Sequence, residues 1–311
     1  GLFENRAQNI DSMYLKFYAM KIFLLVLTTI IWGTTFFVIK DTVNTVNEYY
    51  IVFIRTFIAA VLMLVFIYFK DKRSLLNRKT IIRGAVLGVL LGVVYISQTI
   101  GLKYTSSGHS AFITGTGVIF IPILLFFMYK RRFKLGEIIA LVVIISGLYL
   151  LTYDSGTAIN IGDLITLITA ISLAWHLVLA GKYVQTSEVL SLVAYQFLFA
   201  SLVSLALYFT EQEITFGLTM DESWALLYLG FAGTLFCYFV SIWAQKDIDT
   251  LTVALIFTLE PVFAALFAWL FASEILNPRE TMGAFIILLG IVLFQIYSSR
   301  KERVEALKIN K

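Results

Sequence analysis

Ten long apolar runs divide the chain, and no other feature of the sequence constrains the fold as strongly. A helix needs about 20 apolar residues to cross a bilayer, where its backbone must satisfy its own hydrogen bonds. Only 14% of the residues are charged, against about 25% in soluble domains. We therefore predict an all-α integral membrane protein with ten transmembrane helices. The predicted spans, numbered one to ten, are 21–39, 48–69, 83–101, 109–129, 136–153, 162–181, 189–209, 223–244, 250–271 and 280–298.

Lysine and arginine are distributed unevenly between the two sides of these spans. Twenty of the 24 lie on the side that holds both chain ends, three lie on the other side, and Arg55 lies within span two. Basic loops stay in the cytoplasm, so this pattern predicts a multi-pass protein with cytoplasmic N- and C-termini. Residues 1–20 and 299–311 are then interpreted as a flexible cytoplasmic tail and a basic cytoplasmic tail.

A shift of 143 residues superimposes the first five spans on the last five without a gap. Five is an odd number, so the second copy must enter the membrane from the opposite side. The pattern predicts two inverted five-helix repeats, at residues 21–153 and 162–298. The shift also aligns identical residues, namely Trp32 with Trp175, Tyr95 with Tyr238, Lys103 with Lys246, Glu137 with Glu280, and Gly147 with Gly290.

Inverted repeats favour a transport function over signalling or anchoring. They recur in secondary transporters, whose substrate sites lie near the midplane between the repeats. Alternating access follows because each half can adopt the conformation that its partner holds. No phosphate-binding P-loop is present, so transport driven by the chain's own ATP hydrolysis is not expected. We find no catalytic constellation and predict that the protein is not an enzyme and holds no cofactor.

Short motifs follow one another along these spans in a characteristic order. They are Trp32 to Lys40 (WGTTFFVIK), Ile54 to Phe57 (IRTF), Gly101 to Ser107 (GLKYTSS), Ala111 to Gly115 (AFITG) with Pro122, and Leu259 to Ala265 (LEPVFAA) with Glu274 downstream. With them the chain resembles the drug/metabolite transporter superfamily over about residues 20–298. The resemblance is to its bacterial ten-helix branch of EamA-type exporters. It implies export or exchange of small polar or amphipathic metabolites, amino acids among them, across the bacterial inner membrane.

Two ionisable residues lie within the apolar spans. Each costs about 2.5–3.5 kcal/mol at the bilayer centre by insertion scales, so each calls for a reason. Glu260, just before Pro261, is interpreted as a proton acceptor or substrate-ammonium partner, or as a structural carboxylate at a helix kink. Arg55 either binds a substrate carboxylate, extends to the outer interface, or forms a structural ion pair.

Other polar and aromatic residues are candidates for the walls of a central cavity. His176 can titrate near neutral pH, although a single buried histidine is more often hydrogen-bonded to a neighbour. His109 is assigned to the outer interface, and with no ligands at metal-binding spacing we predict no metal site. Aromatic walls would suit amphipathic or ammonium-bearing substrates. The remaining candidates are the repeat-related pairs Trp32 and Trp175, Tyr95 and Tyr238, together with Gln98, Tyr195 and Gln196.

Prolines and glycines predict local helix geometry. Pro122 and Pro261 are expected to kink spans four and nine, and their four-residue offset under the repeat shift predicts bends at unequal depths. Gly84, Gly88 and Gly92 recur every four residues along one face of span three, which is typical of close helix packing. Their partner is span two, span four or a second copy in a homodimer.

Together these features predict a secondary transporter that exports or exchanges an amino-acid-like or cationic, amphipathic metabolite by alternating access. Coupling to protons is left open. Three alternatives also stay open: a multidrug exporter, a translocator of lipids or lipid-linked sugars, and a non-transporting scaffold or sensor.

Overall fold

The computed structural model describes residues 2–152, 160–211, 217–271 and 278–309. Within these ranges the regular structure is helical throughout, without strands. Short 3₁₀ segments lie at Lys72–Leu76 and Thr116–Ile119, and a π-helical segment lies at Phe231–Phe236. The α-helices are α1 (Leu2–Thr42), α2 (Glu48–Asp71), α3 (Arg78–Tyr104), α4 (Ser107–Gly115), α5 (Phe120–Tyr129), α6 (Leu135–Thr152), α7 (Ile161–Val184), α8 (Val189–Tyr208), α9 (Met220–Gly230), α10 (Cys237–Ala244), α11 (Thr250–Phe257), α12 (Glu260–Phe271) and α13 (Pro278–Ile309).

These helices coincide with the ten predicted spans. Spans one to three are α1 to α3, span four is α4 with α5, and spans five to seven are α6 to α8. Span eight is α9 with α10, span nine is α11 with α12, and span ten lies within α13. Eight segments of the described chain are long and apolar enough to cross a membrane, and span five is a shorter apolar helix, Leu135–Leu151. The chain is an all-α multi-pass membrane protein, and the predicted ten-helix fold is confirmed.

The two chain ends differ from the predicted tails. Helix α1 begins at Leu2 and α13 continues to Ile309, so helix extends through residues that we had interpreted as a flexible tail and as a separate basic tail. Residues 2–20 contain neither glycine nor proline, and ten of these 19 residues are Leu, Ala, Met, Lys, Gln, Glu or Arg. Such residues favour helix once a neighbouring turn has formed. Glu274, part of the ninth-span motif, lies outside the described residues.

Side-chain caps fix where several helices begin. Asn47 accepts hydrogen bonds from the backbone of Tyr49 and Tyr50 at the start of α2. Asn77 does the same for α3, and Asp249 caps α11. Such caps satisfy amide groups that have no partner in the first helical turn. The short connections thus turn the chain back into the membrane without leaving polar backbone groups unpaired.

The packing of the helices follows the repeat. Helix α2 packs along α8, and α6 packs along α13, so the counterparts of spans two and five contact each other directly. The other contacts occur as related pairs: α3 packs on α7 and α8, while α9 and α10 with the π-helical segment pack on α1 and α2. Exchange of the repeats therefore maps one set of contacts onto the other. This is the arrangement of two inverted five-helix repeats around a two-fold axis parallel to the membrane.

Spans four and nine are interrupted near their centres. In span four α4 ends at Gly115, and in span nine α11 ends at Phe257, which is one residue from the repeat counterpart of Gly115. The preceding helices thus end at nearly equivalent depths, whereas the following helices begin three residues apart in the repeat register, at Phe120 and Glu260. Pro122 and Pro261 both lie in the first turn of the following helix, where a missing N–H is tolerated. Unequal bends at the two prolines stay a prediction.

The glycine stripe of α3 packs against α8 of the same chain. A Cβ atom added at Gly84 would lie 2.3 Å from the Tyr195 Cβ, and one at Gly88 would lie 2.6 Å from the Gln196 carbonyl oxygen. The stripe therefore serves close helix packing, and its partner is span seven. Span two, span four and a second copy of the chain, which the sequence left open, do not occupy it.

Candidate functional site

A small cavity at the centre of the bundle brings together residues from both repeats. We call it the central chamber. Its volume is about 20 Å³, roughly enough for one water molecule. It collects side chains from spans one, two, three, four, six, eight and nine, so it lies at the interface between the repeats. The residues that line it are Trp32, Thr35, Arg55, Val94, Tyr95, Gln98, Thr114, Leu173, Tyr238 and Glu260.

Arg55 is buried in this chamber, with 1% of its surface exposed. Its Nε donates a hydrogen bond to Thr234 Oγ1 at 2.9 Å, and Nη2 donates to the Gly233 carbonyl at 3.4 Å. The guanidinium carbon lies 3.8 Å from the centre of the Tyr95 ring. Nη1 has no hydrogen-bond partner in the described part of the chain. Arg55 therefore neither extends to the outer interface nor forms a structural ion pair with a described carboxylate.

The π-helical segment of span eight supplies the polar wall next to Arg55. The Gly233 carbonyl accepts hydrogen bonds from Trp32 Nε1 at 2.9 Å and from Tyr95 Oη at 3.2 Å, in addition to the contact with Arg55. The same Tyr95 hydroxyl lies 3.2 Å from Thr234 Oγ1, so its single hydrogen is shared between the two acceptors. A π-helix misaligns the regular bonding of its carbonyls, which explains why such segments frequently occur at functional sites.

Glu260 occupies the first position of α12 and lines the same chamber with 7% of its surface exposed. Its carboxylate makes no hydrogen bond or ion pair with the residues described by the structure. In particular, no ion pair joins it to Arg55. The chamber therefore contains one guanidinium and one carboxyl group that are not paired with each other.

Aromatic rings form the remaining wall. The Trp32 ring lies 5.3 Å from the Tyr238 ring and 4.8 Å from the Phe257 ring, both edge to face. Tyr238 also contacts the Tyr95 ring at 5.6 Å. Edge-to-face pairs of this kind hold rings in fixed positions. The chamber thus has rigid apolar walls with polar groups at Arg55, Gln98 and Glu260.

His176 and Gln196 lie behind this aromatic wall. His176 Nε2 is 2.9 Å from Gln196 Oε1, and its ring contacts Tyr238 at 5.4 Å. Neither residue lines the central chamber. His176 is therefore hydrogen-bonded to a neighbour, as a single buried histidine usually is.

Two of the candidate cavity residues lie elsewhere. Trp175 is 39% exposed at the surface of the bundle. Tyr195 donates to the Leu75 carbonyl at 2.5 Å, near the end of span two. Both were candidates for the cavity wall from the sequence, and neither lines the central chamber.

Sequence reasoning did not single out Thr35, Thr114, Leu173 and Thr234 as site residues. Thr35 and Thr114 lie inside the motifs quoted above, so those motifs held a usable signal. Thr234 shows no signal in the sequence, because the π-helical geometry that presents it cannot be read from the hydrophobic pattern. Among the described residues, no group of three or more His, Cys, Asp and Glu is positioned to hold a metal ion.

Two further cavities lie between the chamber and one end of the bundle. We call this end, at which basic segments follow spans two, four and six, the basic end. A vestibule of about 520 Å³ opens there and is lined by Leu125, Val178 and Thr250, among others. A smaller cavity of about 20 Å³ lies roughly one helical turn deeper, at Ile121, Leu177 and Ala254, and shares Thr114, Leu173 and Glu260 with the chamber.

Ion pairs lie at both ends of the bundle. At the vestibule, Arg131 Nη1 is 2.7 Å from Asp249 Oδ1, which links the end of span four to the start of span nine. Lys21 pairs with Asp247 beside it. At the opposite end, Lys103 pairs with Glu48. Buried apolar side chains fill that end of the bundle, including Phe36, Ile39, Ile51, Leu102 and Leu229.

Comparisons with known proteins agree with this architecture. The family described as the EamA-like transporter family matches the chain twice, over residues 19–153 and 160–296. An uncharacterized transporter of Archaeoglobus fulgidus is 30% identical over 272 residues, covering 88% of this chain and 84% of that protein.

A more distant relative carries a substrate in its name. The S-adenosylmethionine uptake transporter of Rickettsia prowazekii is 24% identical over 257 residues, covering 82% of this chain and 85% of that protein. A crystal structure with 14% sequence identity superimposes with a TM-score of 0.74, covering 90% of this chain and 98% of the other. That likeness concerns the fold alone.

Proposed function

Because the chain belongs to the EamA-like transporter family, we propose that it moves an amino-acid-like zwitterion across the membrane by alternating access. The chain is a membrane transporter for small molecules and not an enzyme. The proposal adds the chemical class of the substrate, the ion to which its transport is coupled, and the direction of transport.

One observation carries the proposal: the chamber is lined by a guanidinium and a carboxyl group that are not paired with each other. Arg55 has a buried Nη1 without a partner in the described chain, and Glu260 is buried in the same chamber without an ion pair to Arg55. A buried charge without a counter-charge is costly. A substrate with a carboxylate and an ammonium group would offset both costs at once, the carboxylate on Arg55 and the ammonium on Glu260.

The aromatic wall supports an amphipathic side chain on this substrate. Trp32, Tyr95 and Tyr238 present rings next to the two charges. S-adenosylmethionine, named in one relative, also combines a carboxylate with cationic groups. Small-molecule sites commonly combine a few charged or polar groups with apolar walls.

The chamber must expand to take such a substrate. Its volume of about 20 Å³ is far below the roughly 300–1,000 Å³ of typical ligand sites. The cavities in line with it lead to the vestibule at the basic end, while apolar packing fills the opposite end. This supports an occluded conformation that opens first toward the basic end. By the uneven distribution of Lys and Arg, we assign that end and both chain termini to the cytoplasm of a bacterial cell.

Proton coupling would follow if a proton and the substrate ammonium compete for the Glu260 carboxylate. The ionised carboxylate binds the substrate ammonium, whereas a proton on the same carboxylate releases it. Two ligands that compete for one group in alternating conformations are exchanged across the membrane. A proton entering the cell would then drive one substrate molecule out.

The test is uptake of a radiolabelled L-amino-acid pool into liposomes with an acidic lumen. We expect uptake by the native protein that a protonophore abolishes. Glu260→Gln should lose the response to the gradient, and Arg55→Lys should weaken apparent affinity by roughly tenfold, because lysine lacks the bidentate fork.

Glu222→Gln is a matched control, because Glu222 caps α9 far from the chamber and glutamine preserves that cap. Native protein that moves no amino acid would refute the zwitterion proposal. A Glu260→Gln protein that still responds to the gradient would refute the assignment of proton coupling.

A further inference from the structure

We infer that Thr234 is a positioning residue that aims the Arg55 guanidinium into the central chamber. The inference rests on the proposed zwitterion site and specifies how its carboxylate-binding half is built. Thr234 lies within the π-helical segment of span eight and is fully buried.

Of the two hydrogen bonds that the Arg55 guanidinium donates, the one from Nε to Thr234 is the shorter. It measures 2.9 Å, whereas the contact of Nη2 with the Gly233 carbonyl is longer, at 3.4 Å. Because the guanidinium is planar, an acceptor on Nε fixes the orientation of the whole group. The terminal Nη1, which has no partner among the described residues, is then left for a ligand. Each terminal nitrogen carries two N–H groups, so Nη1 and the second N–H of Nη2 can together bind a carboxylate in a bidentate pair.

Thr234 is itself held in place from the other side. Tyr95 Oη donates to the same Thr234 oxygen at 3.2 Å, and the Tyr95 ring lies against the guanidinium. A hydroxyl oxygen can accept two hydrogen bonds, so Thr234 can serve both donors. Arg55, Tyr95 and Thr234 thus form a closed triangle of contacts with one open nitrogen.

The repeat shows that this triangle exists in one copy only. Under the 143-residue shift Thr234 corresponds to Leu91, and Arg55 corresponds to Leu198. The counterpart of the π-helical segment is a stretch of regular α-helix in α3. A structural element needed for folding would be expected in both copies. The triangle is therefore better explained by binding than by the packing that the repeats share.

The test compares Thr234→Val with Thr234→Ser in the liposome assay. The probes are the radiolabelled L-amino acid that the native protein takes up fastest and the corresponding amino-acid amide, which keeps the ammonium but lacks the carboxylate. We expect Thr234→Val to raise the KM for the amino acid by roughly tenfold. The KM for the amide and the maximal rates should not change, and serine should restore the native values.

Thr99→Val is the matched control, since Thr99 is buried in α3 and its hydroxyl has no hydrogen-bond partner in the described chain. Thr234→Ala serves as the second variant if the valine protein is not monodisperse. Equal loss of affinity for the acid and the amide, or no loss for either, would overturn the role of Thr234 while leaving amino-acid transport standing. Native protein that moves neither probe would overturn this inference and the proposed function together.

Discussion

Arg55 is stabilised by neutral groups rather than by a carboxylate. A ring face, a carbonyl and a hydroxyl surround its guanidinium. Such groups lower the cost of burying a cation without cancelling its charge. The positive charge therefore remains available to a ligand, which an internal ion pair would not have allowed.

This arrangement predicts graded effects at Tyr95. Tyr95→Phe removes the hydroxyl but keeps the ring under the guanidinium, and should cost about 1 kcal/mol of substrate affinity. Tyr95→Leu also removes the cation–π contact and should cost about 2 kcal/mol more. Both losses of affinity are measured as increases in the apparent KM for the amino-acid probe in liposomes. Equal effects of the two variants would show that the ring contributes nothing.

Some residues of the chamber could be predicted from the sequence, and others could not. Arg55 and Glu260 stand out because a charge within an apolar span needs a reason, and both line the chamber. Trp175 and Tyr195 were chosen by identity with a repeat counterpart or by residue type. Neither criterion gives the direction in which a helix presents a side chain, and neighbouring residues on a helix point about 100° apart. The direction is set by packing partners that are distant in sequence.

At the scale of elements, the continuous helices and the interrupted ones have different roles. Helices α2, α3, α7 and α8 are unbroken and pack closely with one another. Spans four, eight and nine are each interrupted near the chamber, by a 3₁₀ segment, a π-helical segment and a turn. Irregular backbone is tolerated at membrane depth where it lines a cavity. The hydropathy pattern predicted every span but cannot show these interruptions, since all three segments are apolar.

The contact between α3 and α8 gives a prediction for stability. At Gly88 an added Cβ would lie 2.6 Å from both the Gln196 carbonyl oxygen and the Phe199 Cβ, neither of which can easily move. Gly88→Ala should therefore lower the free energy of unfolding by about 1–3 kcal/mol.

Gly92 is the matched control one turn along the same stripe. Its nearest neighbour would lie 3.5 Å from an added Cβ, in ordinary van der Waals contact. Gly92→Ala should therefore be neutral or slightly stabilising, because alanine favours helix. Thermal unfolding in detergent distinguishes the two variants. Similar transition temperatures for both would contradict the close packing of α3 on α8.

At the scale of the whole molecule, the helix packing is nearly symmetric between the repeats, but the distribution of cavities is not. The helix contacts of one repeat map onto those of the other. Yet the cavities lead from the chamber to the basic end, while apolar residues fill the opposite end. In inverted repeats, each half can take the conformation of its partner. The proposed alternating access therefore calls for a second state of the same scaffold, open at the opposite end.

The path can be tested by thiol labelling. The single cysteine, Cys237, is buried, so the native protein provides a low background. Ala254 lines the cavity between vestibule and chamber. We expect Ala254→Cys to react with a membrane-impermeant maleimide applied at the basic end and to react far more slowly from the other side. Excess amino-acid substrate should change the labelling rate. Equal labelling from both sides would contradict the path.

The two unpaired charges of the chamber come from different copies of the repeat. Arg55 belongs to the first copy, where its counterpart is Leu198, and Glu260 belongs to the second, where its counterpart is Gly117. An ancestor assembled from two identical halves would have carried each of these groups twice, and like charges around the axis of a dry site repel. Under the proposed function, the divergence of the two halves leaves a single guanidinium facing a single carboxyl group, which suits a ligand with two unlike ends.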